Sequence, residues 1–225
     1  VVVWVVADAT INGSETGTSF RQALWAMECG FRLHDTMIYH RENLPQNRDR
    51  YEQHFEYMFV FGKGAPKTFN AKQEPCKTAG QKQKIVSRHK EEKGARHEKA
   101  KGKKWITGEF KTSGNIWKYQ VGKGMGDALQ HEHPASFPEA LANDHIISWS
   151  NPGDLVFDCF LGSGTTGKMA IRNGRKFIGC DIEADYVDIA RQRIENEETA
   201  VLNRAGKFTT TQKEKESGQL AIWDI

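Results

Sequence analysis

Apolar residues open this chain in an unbroken run, Val1-Val-Val-Trp-Val-Val6, and then recur in two different rhythms. The opening run has the length of a strand and predicts a buried one over residues 1–7. Over residues 16–29 the rhythm is helical: Phe20, Ala23, Leu24 and Met27 share one face, and Gly30 is placed to stop the helix. Residues 31–39 and 55–61 read as two strands, joined by a polar loop over 40–53 that is too long for a tight hairpin. Tyr57 and Phe59, two apart on a strand, point to core packing, and His54 to a surface position. Further on, Ser136-Phe-Pro-Glu139 has the S-x-x-E form of a capping box, with Pro138 tolerated in the first turn. It introduces a helix whose Leu141, His145, Ile146 and Trp149 share a buried face. Leu155-Val-Phe157 predicts a parallel strand covered on both faces. Gly162-Ser-Gly164 then allows a tight turn, Thr165 and Thr166 can cap the next helix, and Gly174 can end it. Phe177-Ile178 is a second short strand that delivers Asp181. A last helix over 183–195 sets Tyr186, Ile189, Ala190 and Ile194 on its core face. A polar tail runs from Glu197 to a final apolar patch, Leu220-Ala-Ile-Trp223.

The order strand, glycine turn, helix, strand, acid describes half of a nucleotide-binding α/β sheet, in which the acid holds a ribose diol. Gly162-Ser-Gly-Thr-Thr-Gly167 matches G-x-G-x-x-G, and Asp181 lies 19 residues after Gly162, a pattern that also suits a dinucleotide. Two features argue otherwise. Only 44 residues follow Asp181, too few for a second half-fold. Asp158 also places a carboxylate between the first strand and the glycines, which suits a cation better than a pyrophosphate. S-adenosylmethionine carries both a sulfonium and an ammonium group.

Asp158-Cys-Phe-Leu-Gly-Ser-Gly-Thr-Thr166 resembles the D-P-F-x-G-S-G-T-T signature of permuted-class bacterial and phage DNA amino-methyltransferases, which methylate adenine N6 or cytosine N4. His133-Pro-Ala-Ser-Phe-Pro-Glu139 is similar to their H-P-A-x-F-P-x element, and Gly179-Cys-Asp-Ile-Glu-Ala-Asp-Tyr186 to their G-x-D-I-x-x-x-Y segment. Asn115-Ile-Trp117 and the Trp149–Asp154 lead-in fit the same pattern. The resemblance implies an α/β fold: a Rossmann-like S-adenosylmethionine-dependent methyltransferase sheet with a basic target-recognition insert. It implies three parts: 1–62 from the catalytic half, 63–123 as the insert, and 124–225 as the cofactor half. It implies cofactor contacts from His133, Pro134, Ala135, Phe137 and Pro138 on one wall. The other wall would be Asp158, Phe160, Gly162, Gly164, Thr165, Asp181 and Ile182. Cys159 stands where the family usually has proline.

The reaction so implied is direct methyl transfer to an exocyclic base amine, a poor nucleophile because its lone pair is delocalised into the ring. The base must first leave the helix stack. The family's D/N/S-P-P-Y/F motif, which accepts the amine hydrogens, does not occur in the 225 residues; Asn151-Pro-Gly-Asp154 lacks the second proline and the aromatic. The chain begins without methionine inside an apolar run. The expectation is therefore that the motif lies upstream of Val1, and that the chain as it stands transfers no methyl group. Three other readings compete: an RNA or protein methyltransferase, a DNA-binding protein that has lost catalysis, and a dinucleotide oxidoreductase.

Charge sharpens the picture. Net charge is +3, yet residues 63–111 hold fifteen Lys and Arg against five Glu, a net +10, and the remainder carries −7. Such a segment can neutralise phosphates and bind double-stranded DNA in a salt-dependent way. Arg88, Lys90, Lys101, Lys103 and Lys104 are its candidate contacts; a merely solvated loop is the competing expectation. Trp105, Phe110 and Trp117, interleaved with the charges, read as core. The four cysteines form no C-x-x-C pair, which argues against zinc and a disulfide framework. Cys159 and Cys180, at predicted strand ends, read as small buried hydrophobes. No apolar run approaches the ~20 residues that span a bilayer. No metal and no membrane contact are expected. The expected place is the cytoplasm of a bacterial or phage-infected cell, and a homodimer is compatible with this reading.

Overall fold

A computed structural model of the chain describes residues 1–42, 50–84, 104–120 and 138–204. The chain divides into a larger unit, Val1–Asn70 with Asn115–Ile225, and a smaller one, Ala71–Gly114.

In the larger unit, four strands form a sheet. Their order is β1 (Val2–Val6), β5 (Phe55–Gly62), β4 (Arg32–Glu42), β10 (Ile116–Gln120). β5 runs antiparallel to β1 and β4, and β10 runs parallel to β4. The alternation of side chains along β5 explains its central place, because both of its faces are apolar. Met58 and Val60 pack with Met37, Tyr39, Trp117, Tyr119 and Leu141. Phe59 and Phe61 pack on the other face with Ala23, Trp4, Phe31 and Tyr57. Tyr57 and Phe59 stack at 5.4 Å between centroids, the core role expected of them. His54 is partly exposed and pairs with Glu52 at 2.6 Å.

Helix α1 (Thr18–Glu28) covers this aromatic face with only one of the residues that the periodicity selects, Ala23. Ser19 and Ala23 are buried, while Phe20, Leu24 and Met27 are exposed together with Trp25. The stacked aromatics of β5 already fill the space under the helix, so the helix approaches with its small residues. Asp8, just past β1, accepts hydrogen bonds from the Ser19 amide, the Ser19 hydroxyl and the Thr16 hydroxyl, which fixes the start of α1. The Ser19 hydroxyl bond is the main reason that the Asp8 carboxyl sits below its ordinary value.

The remaining elements of this unit are α2 (Glu139–Trp149), β11 (Leu155–Asp158), α3 (Thr165–Arg172), β12 (Lys176–Gly179) and α4 (Ala184–Arg204). β11 and β12 pair in parallel, with α3 as the crossover between them. Val156 packs against a core of Ala142, Ile146, Met169, Phe177, Ala190 and Ile194. The expectation that β11 is covered on both faces is not met: Leu155 is 57% and Phe157 61% exposed. Nor is β1 fully buried, since Val2 and Val5 are exposed. Among the described residues β1 pairs only with β5, and β11 only with β12, so each leaves one strand edge without a partner.

Helix α4 also runs on where a polar tail was expected. Glu197 lies inside it and is buried. Arg172 holds it with Nε to Oε1 at 3.0 Å and Nη2 to Oε2 at 2.7 Å, and Arg204 adds a third bond. The apolar patch at 220–223 lies outside the described residues.

The chain leaves the larger unit at Asn70 and returns at Asn115. The Asn70 side chain donates to the carbonyls of Ile147 and Ser150, at 3.0 and 3.1 Å. The Asn115 side chain donates to the Thr36 carbonyl at 3.0 Å. The smaller unit, between them, has two antiparallel strand pairs. β6 (Gln73–Pro75) lies with β9 (Phe110–Thr112), and β7 (Lys82–Lys84) with β8 (Lys104–Ile106). Phe110 is exposed rather than core, because strands this short bury little; Trp117, in β10, is buried as expected. No helix among the described residues is long and apolar enough to cross a membrane.

Glu197 offers a test of the α3–α4 junction. Burial raises its carboxyl pKa, but the hydrogen bonds from Arg172 and Arg204 outweigh burial and hold it below the ordinary 4.5. A carboxyl depressed in the fold stabilises above its unfolded pKa, and this contribution fades as pH falls through the folded value. Glu197→Gln is expected to lower urea stability at neutral pH and to converge on the parent chain in acid, once the pH has fallen through the depressed folded pKa. A gap that persists unchanged into acid contradicts the ion-pair account.

Candidate cofactor site

The carboxyl ends of β11 and β12 carry the residues that the sequence marks for a cofactor. Asp158 ends β11 and turns the chain, its Oδ1 accepting the Phe160 amide at 3.0 Å. The backbone continues the ladder beyond the strands: the Cys180 amide donates to the Asp158 carbonyl and the Leu161 amide to the Cys180 carbonyl, each at 3.0 Å. Gly162 and Gly164 both take left-handed backbone, φ 49° and 77°, which glycine alone adopts without strain. Asp181, just past β12, reaches back to this turn. Its Oδ2 accepts the Gly162 amide at 2.8 Å, and its Oδ1 accepts the Glu183 amide at 3.1 Å. Phe160 and Ile182, one on each loop, are exposed. Phe160 meets Trp4 of β1 edge-on at 5.7 Å.

Asp158, Phe160, Gly162, Asp181 and Ile182 are thus brought to one end of the β11–β12 pair. Gly164 and Thr165 are turned instead toward α4. Gly164 is the N-cap of α3, and no threonine side chain caps that helix. A Cβ on Gly164 would lie 2.7 Å from the Ala190 Cβ, so the packing of α4 requires a glycine there. Thr165 is buried, and its hydroxyl accepts a bond from Arg193 at 3.2 Å. Pro138 is the N-cap of α2. His133, Pro134, Ala135 and Phe137 lie outside the described residues, as do Arg88, Lys90, Lys101 and Lys103; Lys104 opens β8.

Ser136, the first residue of the expected capping box, lies outside the described residues. Pro138 is the N-cap of α2 and Glu139 its first residue. Its carboxylate is drawn to Lys168 at 2.6 Å, Arg193 at 3.1 Å and Arg172 at 3.5 Å. Arg193 is the centre of this group and only 1% exposed. Besides Glu139 it donates to the Ser163 carbonyl at 2.5 Å, the Ser163 hydroxyl at 3.0 Å and Thr165. One guanidinium therefore ties the glycine turn, the start of α3 and the start of α2 to α4. Neither Arg193 nor Glu139 stands out as a site residue in the sequence. The available signal was a lone arginine on the apolar stripe of Ala190 and Ile194.

The described residues contain no group of three or more His, Cys, Asp or Glu arranged to hold a metal ion. Two acids, a glycine turn and exposed apolar side chains at the carboxyl ends of parallel strands define a Rossmann-like α/β cofactor domain. The family model for DNA methylases of the N6/N4 group matches residues 1–192, and the chain belongs to that family. It is 50% identical over 205 residues to the orphan methyltransferase M.BamHII of Bacillus amyloliquefaciens, a match covering 87% of this chain and 75% of that protein. Among solved structures it is similar to the PvuII DNA methyltransferase (cytosine-N4-specific), with TM-score 0.59 and 19% identity over 90% of this chain and 68% of that one. It is also similar to a DNA modification methylase of Thermus thermophilus, TTHA0409, complexed with S-adenosyl-L-methionine. There the TM-score is 0.55, at 20% identity over 87% of this chain and 69% of that one. At those identities the likeness speaks for the fold. The chain is a DNA methyltransferase sequence whose methyl donor is S-adenosylmethionine and whose family reaction is transfer to an exocyclic base amine.

Replacing Arg193 tests the buried clamp. Arg193→Met keeps the bulk but leaves Glu139 and the Ser163 carbonyl short of a donor. Leaving a buried charge wholly unpaired costs about 3–5 kcal/mol; with Lys168 and Arg172 still beside Glu139, a loss up to that size is expected in urea unfolding. A loss under about 1 kcal/mol would mean that Lys168 and Arg172 hold Glu139 unaided.

Proposed function

We propose that S-adenosylmethionine is held by the turn between β11 and α3 together with the acidic ends of β11 and β12, and that the Ala71–Gly114 unit contacts double-stranded DNA. The observation that carries the cofactor reading is the state of Asp181. A carboxylate has about four lone-pair sites. Two are used by the Gly162 and Glu183 amides, and the others remain for a ribose diol. The same bonds hold the glycine turn in place before any ligand arrives, which lowers the ordering cost of binding. Asp158 spends one oxygen on its own turn; its charge would favour the cationic methionine end. Exposed Phe160 and Ile182 offer apolar surface for the adenine ring.

S-adenosylmethionine, when bound, supplies a methyl group made electrophilic by its sulfonium. The chain's part is to fix that group in line with an incoming amine and to keep water away. The groups that accept the amine hydrogens are not among the residues assigned here. Support for the DNA contact is the charge of the 63–111 segment and its division into short, lysine-bearing strand pairs.

Two measurements test the reading. Asp181→Asn should weaken S-adenosylmethionine binding in calorimetry by about 1.5–3 kcal/mol, the worth of hydrogen bonds to a charged acceptor. Parent-like affinity would sink the ribose assignment. Replacing Lys101, Lys103 and Lys104 with Ala should weaken duplex DNA binding and flatten the plot of log affinity against log salt, by roughly 0.9 per lost phosphate contact. An unchanged slope would assign these lysines to solubility alone.

A further inference from the structure

Cys159 and Cys180 were expected to be buried, and both are exposed. Their placement follows from the strand register. Asp158 and Gly179 are the last in-register pair of β11 and β12, and the next residue on each strand is a cysteine. The Cys180 amide still bonds to the Asp158 carbonyl at 3.0 Å, and the Cys180 Sγ lies 3.8 Å from the Cys159 carbonyl oxygen. Neighbouring strands are about 4.8 Å apart, inside the roughly 4.4–6.8 Å between Cα atoms that a disulfide needs. Residues in register on parallel strands also send their side chains to the same face of the sheet. Of the four cysteines, Cys29 and Cys76 have no such neighbour in the strand register.

We propose that Cys159 and Cys180 are an oxidation site: a dithiol that closes to a reversible disulfide across the ends of β11 and β12 and so controls binding at the cofactor turn. With a peroxide as oxidant the steps balance. The Cys180 thiolate attacks a peroxide oxygen, forming a sulfenic acid and releasing water once the leaving hydroxide takes up the thiol's proton. The Cys159 sulfur attacks the sulfenic sulfur, the S–S bond forms, and a second water leaves with the Cys159 proton. Two thiols lose two electrons and two protons, and one peroxide becomes two waters. Desolvation first, and then the charge of Asp158, hold the Cys159 thiol above its ordinary pKa, which disfavours it as the first attacker.

The consequence for binding is geometric. Cys159 lies inside the turn that Asp158 makes with the Phe160 amide, and Cys180 immediately precedes Asp181, which holds Gly162. A disulfide draws the two Cβ atoms to about 3.8 Å. The adjustment falls on these two loops, so the oxidised chain should present a distorted turn to the ligand. This effect rests on the cofactor reading above; the disulfide itself does not.

The full chain is treated with hydrogen peroxide and then examined in two ways. A thiol assay and a non-reducing peptide map are expected to show two of the four thiols lost, with the peptides of Cys159 and Cys180 joined. Calorimetry is expected to show S-adenosylmethionine affinity falling at least tenfold and recovering with dithiothreitol. Cys180→Ser should keep its affinity through the same treatment. Four surviving thiols, or a link to Cys29 or Cys76, overturn the oxidation site. A Cys159–Cys180 link with unchanged affinity overturns the control. If the reduced chain binds no S-adenosylmethionine, the cofactor reading fails and the control with it, while the peptide map still decides the disulfide.

Discussion

Close approach without side chains is the constraint on which the cofactor end of this protein depends. A Cβ on Gly164 would meet the Ala190 Cβ at 2.7 Å, and one on Gly167 would lie 2.5 Å from Ile194 and 2.6 Å from Phe177. One on Gly179 would come within 2.8 Å of Leu161. At Gly164 the neighbours include the Ala190 backbone, so that position must stay bare or α3 and α4 must part; at Gly167 and Gly179 they are side-chain ends, which would have to shift. With α3 and α4 held this near, Arg193 reaches the Ser163 carbonyl from α4, and Leu161 and Phe177 close over the strand ends. Gly164 and Gly167 are thus packing positions, while Gly162 shapes the turn that Asp181 holds.

Much of this arrangement was visible in the chain, and the misses have physical causes. The order of strand, turn, helix and strand follows from short apolar runs and glycines, signals that are local. The Asp181 position was equally local. The face of α1 was not. Periodicity marks which residues share a face, but whether that face turns inward depends on how full the neighbouring surface is. Here β5 had already filled it with Tyr57 and Phe59. The role of Glu139 was equally hidden: its three cations come from α3 and α4, far along the chain. Arg193 could not be read from α4 alone, because its partners come from residues 54, 30 and 28 positions away. Exposure of Leu155 and Phe157 was missed because an apolar run reports what a strand can bury, not what lies against it.

The two ligands of the proposed function ask for opposite electrostatic fields. The methyl donor is a cation and DNA is a polyanion. Carboxylates that favour the first repel the second, and lysines do the reverse. The net +10 of residues 63–111 and the net −7 of the rest keep these fields on different segments.

The two asparagines at the borders of the smaller unit bear on how such proteins diversify. Asn70 is fastened to the carbonyls at the end of α2, and Asn115 to the Thr36 carbonyl of β4. Both anchor points belong to the larger unit and take nothing from the sequence between them. Long insertions held at fixed ends cost little, since loop-closure entropy grows only slowly with length. The scaffold is thereby indifferent to its cargo. A segment of different length or strand pairing could stand between these two pins while the contacts that hold the larger unit together stay as they are.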